Sequence, residues 1–147
     1  MSIGVPWQEL GLSRVRVAVG GDVLFLVNGS TLDRCAEEAA DAPLAVYPSG
    51  EDEGIPEGAI DLRLLARVLH PTLPDHRLAT VASRHGLPEA RGASAVAAIF
   101  VAMVKEAIGL DRELVALLAR LLPPPLSELF DRVLLLRRPS PKRRPDP

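Results

Sequence analysis

Ile60-Asp61-Leu62-Arg63-Leu64-Leu65-Ala66-Arg67-Val68-Leu69-His70-Pro71-Thr72-Leu73-Pro74-Asp75-His76-Arg77-Leu78 carries the chain's clearest local signals. Asp61 has the side chain of a helix N-cap, and Leu62, Leu65, Ala66 and Leu69 recur at helical spacing behind it. Pro71 and Pro74 cannot continue a hydrogen-bond ladder and stop that helix. Asp75 is expected to cap a second, shorter helix with Leu78, Val81 and Ala82 inward, closed by Gly86 beyond its C-terminus. The stretch therefore predicts a helix, a proline-punctuated turn and another helix.

Downstream the pattern stays helical. Gly92 to Ile108 places Val96, Phe100, Val104 and Ile108 on one stripe, and Gly109 ends it. Asp111 is expected to cap a helix with Leu114, Leu117, Leu118 and Leu121 at helical spacing, read as core or, if strands are missing from the chain, as an interaction face. Pro123-Pro124-Pro125 forces a break before a last helix, Ser127 to Leu136. Upstream, Trp7 to Val19 reads as a short helix ended by Gly20-Gly21. Val23 to Val27 is five apolar residues in a row, the habit of a strand buried on both faces of a parallel sheet. Asn28-Gly29-Ser30 breaks it. Ser30 and Thr31 are expected to cap a helix with Leu32, Cys35, Ala36 and Ala39 buried, and Leu44 to Tyr47 to form a second short strand. Gly50 to Gly58 reads as an acidic loop. No internal repeat is evident.

Composition narrows the classes. The chain has 147 residues, one domain's worth, with 48% hydrophobic and 24% charged residues, a globular balance. Only 3% are aromatic (Trp7, Phe25, Tyr47, Phe100, Phe130), too few for a base-stacking surface. The single cysteine, Cys35, excludes an intramolecular disulfide framework and a cysteine-based zinc site, and reads as a small core hydrophobe. The longest apolar run stops at Lys105, short of the roughly 18 residues a span requires. With Glu9 and Arg14 early, the N-terminus does not read as a signal peptide, so a cytoplasmic protein without membrane contact is expected. The net charge of −2 is uneven. Residues 137–147 hold five basic groups (Arg137, Arg138, Lys142, Arg143, Arg144) against Asp146, which leaves the body at −6. Such a body repels polyphosphate, so any weak grip on nucleic acid falls to that tail.

The quoted stretch resembles the DEDD-type 3′–5′ exonucleases, the DnaQ-like group with an RNase H-like fold, which read D-T-L-x-L-A-R-x-x-x-P, then L-P-x-x-x-L and a helix ending in G-[IL]-P. Asp61, Leu65, Ala66, Arg67, Pro71, Leu73, Pro74 and Leu78 fit without a gap, as do Gly86-Leu87-Pro88. Val23 to Asp33 resembles the family's second motif, a strand running into H-N-x-x-F-D. In that placement Asn28 and Gly29 stand for the His-Asn pair, Leu32 for the aromatic and Asp33 for the catalytic aspartate. The likeness covers roughly residues 22–107.

Such an enzyme holds two Mg²⁺ or Mn²⁺ ions about 3.5–4 Å apart with four carboxylates. The resemblance implies a D-x-E pair on a first strand, expected to lie upstream of residue 1, and an H-x-x-x-x-D on a late helix. The late positions fall on Ala93 and Ala98. Asp33 is thus the one family-matching carboxylate, the only metal-ligand candidate; its plainer reading is a solvated acid in a helix's first turn. Asp22, Glu37 and Asp41 fall where the family has no ligand. His70, His76 and His85 lack the i, i+4 spacing of a helical zinc site and read as residues at helix ends. Ser30 has no nucleophile elbow around it, and Gly20-Gly21 precedes a strand, which excludes a phosphate loop.

The fold class expected is α/β and helix-rich: a partial RNase H-like exonuclease domain over residues 1–136, with about two strands and six to seven helices and without its first strands. A Pro/Arg-rich disordered tail follows over 137–147. Exposed strand edges would then favour a homodimer or a protein partner. Three functions stand side by side: a degenerate, non-catalytic exonuclease-like protein with a binding or interaction role and no cofactor; an active metal-dependent 3′–5′ exonuclease whose first motif is supplied elsewhere; and an unrelated helical interaction module.

Overall fold

The structure, a computed structural model, describes residues 5–32, 41–48, 54–87 and 92–136. Asp22–Val27 does form a strand, but its neighbours are not those the apolar run suggests. Arg14–Val19 (β1) pairs antiparallel with Asp22–Val27 (β2), with Val19 opposite Asp22 and only Gly20-Gly21 between them. Gly20 takes φ +57°, a torsion glycine adopts at little cost, so the pair ends a strand where a helix end was expected. The alternation Arg-Val-Arg-Val-Ala-Val explains why β1 is extended: Val15 and Val17 are fully buried, whereas Arg14 and Arg16 face the other way.

Asn28-Gly29 is the next turn. Both residues have positive φ (50° and 82°), as a two-residue type I′ hairpin demands, and Ser30–Leu32 (β3) returns antiparallel to β2 with Val27 opposite Ser30. Ser30 and Thr31 are therefore strand residues and not helix caps. β2 lies between two antiparallel partners and Val23 is 37% exposed, so it is not the doubly buried parallel strand its composition suggested. The helix expected from Leu32 onward lies outside the described residues.

Leu44–Val46 (β4), the second strand read from the sequence, joins the other side of β1 in parallel, and Ile60–Asp61 (β5) joins β4 in parallel. The sheet order is β3-β2-β1-β4-β5. The chain is thus α/β and helix-rich, with five strands and five helices among the described residues in place of about two and six to seven.

The helices begin and end close to where the residues demand. Asp61 caps Leu62–Leu69 (α1), its Oδ1 accepting the Leu64 N–H at 3.1 Å. Leu78–Arg84 (α2) starts behind Arg77; Asp75 is not its N-cap, but takes the Arg77 N–H and the Thr80 hydroxyl. Its end is a Schellman closure: Leu87 N–H donates to the Ala82 carbonyl, Gly86 N–H donates to that of Ser83, and Gly86 has φ +78°.

Gly92–Ile108 (α3) lies across β1 and β2 and buries Val96, Phe100, Met103 and Val104 against them. Trp7 stacks on Phe100 (ring centroids 5.9 Å apart), which brings the N-terminal turn onto the same core. Arg112–Leu121 (α4) and Leu126–Leu136 (α5) pair beyond a cis Pro124–Pro125 bond. Asp111 occupies the N-cap of α4 without a side-chain hydrogen bond to it. Of the α4 leucines expected in the core, Leu114, Leu117 and Leu121 are exposed, and Val115 is the helix's fully buried residue. No single described helix is long and apolar enough to cross a membrane.

Candidate functional site

Of the positions singled out by the resemblance, the described ones form no carboxylate centre. Asp33 lies outside the described residues, as do Cys35, Glu37 and the basic residues Arg137, Arg138, Lys142, Arg143 and Arg144. Ala93 and Ala98 are described. Ala93 is fully buried in the first turn of α3, and Ala98 faces outward. Asp22 comes close to Ala93, but as a cap: its Oδ2 accepts the Ala93 N–H at 2.8 Å. Asp61, at the end of β5, is likewise occupied at the start of α1.

The first strand of the sheet, β1, contains no acid. Asp41 lines a cleft of about 440 Å³ with Gly11, Pro43, Gly58 and Arg132. That cleft opens at the N-terminal ends of β1, β4 and β5, the opposite end from the one where α/β sheets bind ligands. Among the described residues, no set of carboxylates converges as a pair of hard dications requires.

A different group does converge. His70 is the C-cap of α1, His85 is the C-cap of α2, and Glu106 lies in the last turn of α3. His70 Nε2 stands 3.0 Å and His85 Nε2 2.8 Å from the same Glu106 Oε1. The two imidazoles meet edge to face with centroids 5.1 Å apart, and one ligand atom from each of the three residues lies within 4.8 Å of the others. His70 is 8% exposed, His85 is nearly as buried, and Glu106 remains 33% exposed. Burial pulls the Glu106 carboxyl upward, but the hydrogen bonds with His85 and His70 outweigh it and hold the group below the ordinary glutamate range.

Each member is oriented by the fold. His85 Nδ1 meets the Val81 carbonyl at 2.9 Å, one turn back along α2. His76 reaches the His70 carbonyl with its Nε2 at 2.8 Å, and its own carbonyl accepts the Tyr47 hydroxyl. Burial pushes the Tyr47 phenol far above its usual value, against the partial counter-pull of Arg63 and Arg67. Spacing alone does not reveal this cluster: His70 and His85 are fifteen residues apart and become neighbours because α1 and α2 both pack on α3.

Compared with protein-family models, with curated proteins and with solved structures, the chain matches none.

Proposed function

We propose that this chain is a non-catalytic relative of the DEDD-type 3′–5′ exonucleases, an RNase H-like domain kept for binding and not for phosphodiester cleavage. The observation that carries the reading is the sheet. Three antiparallel strands, with two more added parallel to the first on its other side, give the order β3-β2-β1-β4-β5, and that order supports an RNase H-like reading. The helix pair at Asp61–Gly86 follows the last strand, as the resemblance implies, and is bent by the same prolines.

On that reading β1 takes the position of the strand that carries D-x-E in the family, and it reads Arg-Val-Arg-Val-Ala-Val. The second-motif placement over Val23 to Asp33 loses its strand-to-helix geometry, because Asn28-Gly29 is a hairpin turn. Ala93 and Ala98 supply neither a base nor a carboxylate. An interaction role draws support from α4, whose Leu114, Leu117 and Leu121 lie at helical spacing and are exposed. A protein surface is the partner class that fits such residues.

The test is a nuclease assay on single-stranded DNA and RNA with Mg²⁺ or Mn²⁺. The expected result is no metal-dependent digestion by purified protein. Digestion abolished by Asp33→Asn would overturn the proposal.

A further inference from the structure

We propose that His70 Nε2, His85 Nε2 and Glu106 Oε1 bind one divalent transition-metal ion, zinc by the donor set. This site is separate from the exonuclease-like positions and does not depend on them.

The argument starts with His85. Its Nδ1 donates to the Val81 carbonyl, which can only accept, so Nε2 is the ring nitrogen left to face the cluster. It stands 2.8 Å from Glu106 Oε1, within reach of a shared ion as well as of a hydrogen bond. His70 Nε2 approaches the same oxygen at 3.0 Å, so three potential ligand atoms crowd one point instead of spreading over both carboxylate oxygens.

The surroundings favour a cation. His70 and His85 cap the C-termini of α1 and α2, and Glu106 lies two residues before the end of α3. All three residues lie at or near helix C-termini, where partial negative charge favours a cation. The His85–Val81 hydrogen bond is the outer-shell contact that fixes ring tautomer and orientation in metal-ligating histidines.

The donors choose the metal. Two imidazoles and one carboxylate suit zinc, with ligand distances of about 2.0–2.2 Å, and disfavour Mg²⁺, which takes oxygen ligands. Small outward shifts of the three side chains open the cluster to that radius. The partly exposed Glu106 provides the approach from solvent and leaves a fourth position for water.

Titration of the full chain with Zn²⁺ alone, by calorimetry at neutral pH, should give one equivalent bound and a raised thermal midpoint. Co²⁺ alone should give visible d–d bands without a sulfur charge-transfer band. Glu106→Gln and His85→Gln should each weaken binding by about 100-fold or more, since even outer-shell changes cost about 10–100-fold. Cys35→Ser should leave it unchanged. If His85→Gln fails to fold, Glu106→Gln, at a more exposed position, decides the matter. The proposal is overturned by wild-type protein that binds no stoichiometric Zn²⁺, by binding that survives Glu106→Gln, or by a thiolate band in the Co²⁺ spectrum.

Discussion

The Asp22 carboxylate accepts the Ala93 backbone N–H at 2.8 Å, joining the first residue of β2 to the first turn of α3 across 71 residues of sequence. The contact uses one of the unsatisfied donors at the helix start and sets a negative charge against the positive end of the longest helix. Gly92, at φ +65°, leads the chain into it, and a Cβ there would stand 2.6 Å from Asp22 Oδ2. Asp22→Ala should therefore cost about 1 kcal/mol, and Asp22→Asn much less, because an amide oxygen still caps. Gly92→Ala should cost about 1–2 kcal/mol from the left-handed torsion alone. Urea unfolding of the three variants checks the order.

Gly29 is held against Trp7. A Cβ on Gly29 would lie 2.6 Å from the indole ring, and its φ of +82° already disfavours any side chain. Gly29→Ala should destabilise by about 2–4 kcal/mol, combining torsional strain with overpacking. Since Trp7 is the only tryptophan, its emission should shift to longer wavelength as the ring leaves Phe100. An unchanged spectrum and unchanged stability would contradict the described turn.

Tyr47, the only tyrosine, should not ionise in its usual range near pH 10. Burial raises its folded value, so the folded state holds the proton more tightly than the unfolded chain does. Its contribution to stability is whole below the unfolded value and is drawn down as pH rises through the folded one. Phenolate absorbance should therefore appear together with loss of structure, not before it. A clean titration near pH 10 in folded protein is the contrary result.

Asp75 provides the opposite sign. The Thr80 hydroxyl and the Arg77 N–H hold its carboxyl below the ordinary aspartate range. That stabilisation is present above the unfolded value and is lost as pH falls through the lower folded value. Thr80→Val should move the Asp75 titration upward, as followed by NMR of its side-chain carboxyl. Helix α2 should stay formed, because its N-cap is Arg77.

On α4 the contrast lies within one helix. Val115→Ala removes a fully buried side chain and should cost about 2 kcal/mol. Leu117→Lys and Leu121→Lys, at 45% and 68% exposed positions, should change stability by less than about 0.5 kcal/mol while improving solubility. Denaturation midpoints and light scattering read both effects.

Local rules carried much of the fold. Asp61, the prolines at 71 and 74, Gly86 and the stripe from Val96 to Val104 placed three helices, because caps, breakers and period act over a few residues. The N-terminal half misled for the same reason. Arg14 to Val19 alternates with period two, yet an apolar segment closed by two glycines also suits a helix end, and only pairing with β2 settles it. Asn28-Gly29 between extended runs is a strong hairpin signal, at odds with a strand-to-helix reading of Val23 to Asp33. The His70–His85–Glu106 cluster draws on three helices, and neither spacing nor composition encodes how three helix ends meet.

Arg132 on α5 donates from Nη1 to the Leu10 carbonyl, while its guanidinium fills the space where any side chain on Gly11 would sit. A clasp of this kind makes the opening turn and the final helix a single cooperative unit. Amide exchange at residues 8–12 and along α5 should then rise and fall together, so a tag or cleavage that disturbs one would loosen the other, some hundred and twenty positions away.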